Sequence, residues 1–144
     1  MGTARAPVVV VDTNVFGADL VRRGAALATL YRPFLEGRSF VVSFQTVAEL
    51  TFGAARKDWG PVRLGRLGER IARAEVVWAG PELLRTYVEL RERCERAGHG
   101  LAHAIHDSDR WIAATAIRLG VPLVSHDSVF RAAPGLTLET ALTP

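Results

Sequence analysis

Four consecutive β-branched residues, Val8 to Val11, end abruptly on Asp12. A strand made of them has no polar face, so it must be covered on both sides, the condition of a strand inside a parallel sheet. The rest of the chain alternates strand and helix signals. A helix is expected from about Ala25 to Leu35, ending near Gly37, and Ser39–Phe44 reads as a second buried strand. Gln45–Arg56 sets Val47, Leu50 and Ala54 on one helical face. Trp59–Ala74 reads as a further helix, weakened by Gly65 and Gly68. Glu75–Trp78 is a short strand, and Pro81 opens an amphipathic helix running to about Arg96, stopped by Gly98 and Gly100. Asp109–Leu119 is a helix ended by Gly120, Val121–Ser125 a strand, and Leu136–Leu138 a last short one. This alternation predicts an α/β fold, a parallel sheet covered by helices on both faces. No repeat or linker divides the 144 residues, so a single domain over residues 1–144 is expected.

Composition removes several classes. Cys94 is the only cysteine, which excludes an intrachain disulfide and a cysteine-based zinc cage and fits a cytoplasmic setting. The run Ser39–Ala48 has no Asp, Glu, Lys or Arg but is far shorter than the roughly 20 residues a membrane span needs. The N-terminal segment Met1–Pro7 with its valines resembles a leader, but its apolar run ends on Asp12, so it reads as a strand. Net charge is +3, and Lys57 is the only lysine beside seventeen arginines. Arginine forks grip phosphate and stack on bases, which suits a nucleic-acid partner; biased base composition of the gene would give the same excess.

In a parallel α/β sheet, ligands bind outside the carboxyl ends of the strands. Asp12 directly follows the first strand, Asp127 follows the strand ending at Ser125, Asp109 opens a helix, and Glu49 lies about one turn into the helix after the second strand. Each alone reads equally as a turn former, a helix cap or a solvated residue. Four carboxylates meeting at one sheet edge repel one another, and a hard divalent cation such as Mg²⁺ or Mn²⁺ is the usual remedy.

The segments Val-Val-Asp12-Thr13-Asn14, Ser43-Phe-Gln-Thr46-Val-Ala-Glu49-Leu, Asp109-Arg-Trp-Ile-Ala-Ala-Thr115-Ala and Leu-Val-Ser-His-Asp127 resemble the four acidic blocks of the PIN domain, in order and over nearly the whole chain. Within that family the resemblance is to the VapC-type toxins of bacterial toxin–antitoxin pairs. It implies a three-layer α/β/α sandwich around a parallel sheet and an Mg²⁺- or Mn²⁺-dependent ribonuclease. Asp12, Glu49, Asp109 and Asp127 would hold the metal. Thr13 and Asn14 match the polar positions beside the first acid, and Ser43 and Thr46 those before the glutamate. A VapB-type antitoxin is implied as partner, its tail laid across the active-site groove with an arginine among the acids, together with an RNA substrate and a homodimer. The helices Ala25–Leu35 and Gln45–Arg56 offer apolar faces for such a dimer. A non-catalytic PIN-like module that binds RNA or protein is the alternative, and retention of all four acids speaks against it.

Metal-assisted attack of water on a phosphodiester predicts 5′-phosphate and 3′-OH ends. Arg110 or another rim arginine is expected to anchor the RNA backbone, and Trp111 either stacks a base or joins the core. Asp107 reads as loop surface, with water-mediated entry to the site as the alternative. His99, His103 and His106 fall in a loop whose zinc-like spacing is set aside, and His126 is given no role. Ser125, His126 and Asp127 are triad residue types, but as sequence neighbours they form no triad. Cys94 reads as a structural thiol.

Overall fold

The computed structural model describes residues 4–144; Met1–Thr3, part of the leader-like segment weighed above, lie outside the described residues. Five strands form one all-parallel sheet: β1 (Val8–Val11), β2 (Ser39–Ser43), β3 (Glu75–Val77), β4 (Leu123–Val124) and β5 (Leu138–Glu139), in the order β3-β2-β1-β4-β5. Six helices surround it: α1 (Thr13–Phe16), α2 (Ala25–Leu35), α3 (Phe44–Arg56), α4 (Pro61–Arg73), α5 (Pro81–Ala97) and α6 (Asp107–Leu119).

The valine run does what its chemistry requires. Val9 and Val11 pack on one side of the sheet with Val15, Phe16 and Tyr31, while Val10 packs on the other with Leu83, Leu90, Leu101 and Ile112. The first side is covered by α1, α2 and α3, the second by α5 and α6. This is the three-layer α/β/α arrangement, with two cores separated by the sheet. A smaller cluster of Leu20, Ala54 and Leu67 seats α4 beside α3.

The order places β1 in the middle, between β2 and β4. It is paired with β2 from Val8↔Ser39 to Val10↔Val41, and with β4 at Val10↔Leu123 and Val11↔Val124. Strand order reverses about β1, so the chain leaves the sheet in opposite directions on either side of it, the place where such folds leave a crevice. Four-residue α1 and the 3₁₀ turns Ala18–Leu20 and Arg22–Gly24 were not legible in sequence, and α4 starts at Pro61 rather than Trp59. Pro at the first helical position fixes that start, and Trp59 packs against Leu20, Ala54 and Leu67 ahead of it. No helix among the described residues is long and apolar enough to cross a membrane.

Candidate active site

Asp12 leaves β1 in extended conformation and caps α1, accepting the Thr13 N–H at 2.8 Å on Oδ1. Its Oδ2 accepts the Ser125 hydroxyl at 2.6 Å. The pairing Val11↔Val124 sets residue 125 beside residue 12, so this bond follows from strand register. Ser125 Oγ in turn accepts the Asp127 N–H at 3.0 Å, and Asp127 Oδ1 caps the turn Ser128–Phe130 through the Val129 N–H at 2.9 Å. Asp109 sits in the first turn of α6, which begins two residues earlier than expected, and its Oδ2 contacts His106 Nδ1 at 2.7 Å. Glu49, on α3, stands at the exposed rim of the same edge. The four acids are therefore brought to one crevice from four different elements.

The matched polar positions divide by depth. Ser43 is fully buried and caps α3, accepting the Gln45 N–H at 3.1 Å. Buried Thr46 shares a 3.0 Å hydroxyl contact with Thr13, tying α3 to α1 under the site. Asn14 is exposed and lines a groove of about 460 Å³ together with Thr13, Glu49, Leu50, Trp59 and His126.

The electrostatics show carboxylates held against their preference. Burial pushes the Asp12 carboxyl up to about 6; the Ser125 and Thr13 bonds oppose this, and the charges of Asp109 and Asp127 add to it. Glu49, although its rim position leaves it partly open to solvent, is raised by partial burial, held back by the Thr13 hydroxyl, and raised further by Asp12 and Asp109. Asp109 is raised by burial first; His106 lowers it, Asp127 raises it, and the charge of Arg110 lowers it further. Like charge thus adds to burial at Asp12, Glu49 and Asp109, and among the described residues the cationic groups that oppose it act on Asp109 alone, His106 at its carboxylate and Arg110 from the core beside it. Among the described residues, no three Asp, Glu, His or Cys side chains stand close enough together to hold a metal ion by themselves. An open set of hard oxygen donors fits a cation that keeps part of its water shell and takes only a few carboxylates, as Mg²⁺ does. It does not fit a structural zinc site, which is closed by four ligands.

Several expectations change. Arg110 is not at the rim: it is 1% exposed and donates to the Leu101 and His103 carbonyls at 2.6 and 2.7 Å and to Asp107 at 3.1 Å. Its place on the buried stripe of α6, with Ala113, Ala114 and Ile117 at helical spacing, was the signal for this. Asp107 is at the surface as expected, but it opens α6 rather than lying in a loop, and its carboxylate takes both Arg110 and the Tyr87 hydroxyl. Trp111 belongs to the core, its ring stacked on Tyr87 with centroids 4.0 Å apart and edge-on to Phe44. His99 is absorbed by structure at both ring nitrogens, through the Arg131 carbonyl and the Leu101 N–H. Buried Cys94 packs in the α5–α6 core, as a structural thiol would. Sequence reasoning missed Ser125 and His106, whose side chains touch Asp12 and Asp109. It also missed His126, whose Nδ1 lies 2.8 Å from the buried Tyr31 hydroxyl.

The fold is that of known crystal structures. It superposes on VapBC2 from Rickettsia felis, bound to a DNA fragment from their promoter, with TM-score 0.75 and 22% identity, covering 92% of this chain and 98% of that one. DNA-bound VapBC from Salmonella typhimurium gives 0.73 and 21%, covering 94% and 98%. VapBC-5 from Mycobacterium tuberculosis, a member of the VapBC family of toxin-antitoxin systems, gives 0.66 and 24%, again covering 94% and 98%. No curated protein sequence matches the chain significantly. The sequence pattern of the PIN domain matches residues 9–136, which span β1 to the approach to β5 and include all four acids, and the chain therefore belongs to the PIN domain family.

Proposed function

We propose that this protein is a metal-dependent endoribonuclease and the toxin of a VapBC-type toxin–antitoxin pair. The observation that carries the enzymatic reading is the under-compensated acid cluster, in which burial raises Asp12, Glu49 and Asp109 and the charge of at least one neighbouring acid adds to each. A fold that gained nothing from this cluster would neutralise it with a basic side chain. Asp12, Glu49, Asp109 and Asp127 are the residues that would hold Mg²⁺ or Mn²⁺. When bound, the ion supplies Lewis acidity toward water and phosphate.

The chain's own residues prepare that chemistry. Ser125 and the Thr13 N–H each occupy one lone pair of an Asp12 oxygen and fix its rotamer, leaving the remaining lone pairs toward the crevice. His106 holds Asp109 through one oxygen and leaves the other without a side-chain partner among the described residues. Asn14 and the groove walls beside Glu49 would receive the nucleotides flanking a scissile phosphate. Leu27, Leu50 and Trp59 on the groove wall suit an apolar segment of an antitoxin whose basic residue would reach Glu49. Exposed Leu30 on α2 and Phe52 on α3 support the expected homodimer. Incubation of purified protein with RNA and Mg²⁺ should give 5′-phosphate and 3′-OH ends and stop in EDTA. Products ending in 2′,3′-cyclic phosphate would overturn the water-attack mechanism, and inert RNA under these conditions would favour a binding module.

A further inference from the structure

The arginines of α4 fall at 63, 66, 70 and 73, a 3-4-3 spacing that sets them on one side of the helix. At 1.5 Å per residue the stripe is about 15 Å long. The adjoining side, about a quarter-turn on, buries Leu67 and packs Ile71 against the same cluster. Facing the stripe, Arg22 from the turn after α1 and Arg32 from α2 complete a cleft, lined by Arg22, Arg32, Arg63 and Arg66 with Asp19 as its only acid. The cleft continues past Arg66, Arg70 and Arg73, where Glu69 is the one further acid.

These charges are not balanced within the protein. Asp19 is already committed, its carboxylate to Arg70 and its backbone carbonyl to Arg66. Among the described residues Arg22, Arg32, Arg63 and Arg73 form no ion pair. Six arginines against two acids exceed, on this one face, the +3 excess of the whole chain. The crowding registers on Arg70, whose guanidinium is lowered by burial and then by the charge of Arg73.

The face is also joined to the acid crevice. Val21 lines both the groove holding Glu49 and the arginine cleft, and adjacent Arg23 and Arg22 line one each. Trp59 lines the groove while Arg63, in the cleft, lies 5.1 Å over its ring. A strand leaving the acids therefore reaches uncompensated guanidinium groups after crossing a single ridge.

We propose that this arginine face is a second substrate-binding surface, gripping the phosphates of an RNA strand beyond the linkage that is cut. It rests on the ribonuclease reading for its choice of ligand, since an acidic protein segment shares the charge complementarity; continuity with the crevice favours RNA. Guanidinium forks bind phosphate bidentately without reading sequence, so the surface supplies affinity and salt dependence rather than base choice.

The test is fluorescence anisotropy of a labelled 20-nucleotide RNA in EDTA, which measures binding without cleavage. The protein with Arg22→Gln, Arg32→Gln, Arg63→Gln and Arg66→Gln together should bind at least tenfold more weakly at low salt. Its plot of log affinity against log salt should flatten by about 2–3, given about 0.7 per single-strand phosphate contact. The corresponding four-lysine variant keeps the charge and should keep most of the slope, which separates lost contacts from a damaged fold. Unchanged slope and affinity in the glutamine variant would overturn the proposal. So would a polyglutamate peptide that displaces RNA from the wild type with higher affinity than the RNA itself. An Asp12→Asn protein that no longer cuts but shows the wild-type slope supports the surface independently of catalysis. Wild-type binding with that slope and no cleavage would sink the ribonuclease reading and leave the surface standing.

Discussion

The first turn of α6 feeds two charged clusters that differ in kind. Asp107 and Arg110 close a set with Tyr87 and the Leu101 and His103 carbonyls, in which buried Arg110 meets an opposite, half-exposed charge and three further acceptors. Asp109, between them in sequence, lies instead near Asp12, Glu49 and Asp127; burial and like charge raise Asp12, Glu49 and Asp109, against neutral donors, His106 and the charge of Arg110 reaching Asp109. The first cluster is how a fold protects itself: it pins the loop from Gly100 to His106 against α5 and α6. The second costs stability and is kept, which is the mark of a site whose missing charge comes from outside. Substitution should therefore split the two clusters, one failing in stability and the other in activity.

The largest effect is expected at Asp12. Asp12→Asn should lower RNA cleavage by about 10³-fold or more, roughly 4 kcal/mol of barrier, because a ligand charge is lost. The amide oxygen can still accept the Thr13 N–H, and the amide nitrogen can donate to Ser125, so the melting temperature at pH 7.5 should hold or rise. Circular dichroism melts alongside the cleavage assay check this. A variant that unfolds would erase the contrast, making the acid cluster structural as well.

Arg110→Met is the mirror experiment. It strands the Leu101 and His103 carbonyls around an apolar side chain, at about 1–3 kcal/mol each, while half-exposed Asp107 turns to solvent. For a chain of this size that lowers the melting temperature by roughly 10 °C. An Arg110→Met protein as stable as the wild type would show that the clamp is dispensable.

The contrast also explains which features sequence could show. Whole elements were legible where one local signal sufficed: the valine run for β1, helical periodicity bounded by Gly37 for α2, and Pro81 with Gly98 for α5. The acids were legible because residue type, strand end and family resemblance agreed. What stayed hidden depends on pairing across distance. Nothing in the order of residues says that Ser125 lies beside Asp12; only the register Val11↔Val124 does. Four-residue α1 is too short to show a period, and it rests on the Asp12 cap. Arg110 was misread because its charge outweighed its position on the buried stripe, although that position pointed to the core.

A smaller effect follows from the raised Asp12 carboxyl. Its value near 6 against an ordinary 3.8 means that the folded, metal-free protein binds a proton more tightly than the unfolded chain. Stability from this group is full below about pH 4 and is lost as pH rises through 6, about 3 kcal/mol in all. Comparison with Asp12→Asn isolates it: the wild type should gain about 2 kcal/mol relative to the variant between pH 7.5 and 4.5 in denaturant melts. Mg²⁺ should raise the wild-type melting temperature at pH 7.5 and raise that of Asp12→Asn much less. A pH-independent difference would mean that Asp12 is not desolvated as described.

The finest test of the contrast is Ser125→Ala, because Ser125 is a neutral residue that serves the under-compensated cluster. Its hydroxyl donates to Asp12 at 2.6 Å and accepts the Asp127 N–H at 3.0 Å. Removing it takes away the larger of the two bonds that hold the Asp12 carboxyl down, so the carboxyl rises above 6. A hydrogen bond to a charged group is worth about 1.5–3 kcal/mol, so the rise is about one to two pH units. Protons then compete with a cation for Asp12 at higher pH. The acid limb of the cleavage profile should move upward by that amount, with strong loss at pH 6.5 and substantial recovery at pH 8.5. Stability should fall only slightly at pH 7.5, since a carboxyl that holds its proton longer avoids part of its burial cost. If Ser125 merely shaped the chain around Asp127, activity would drop by one factor at every pH and the limb would stay where it is.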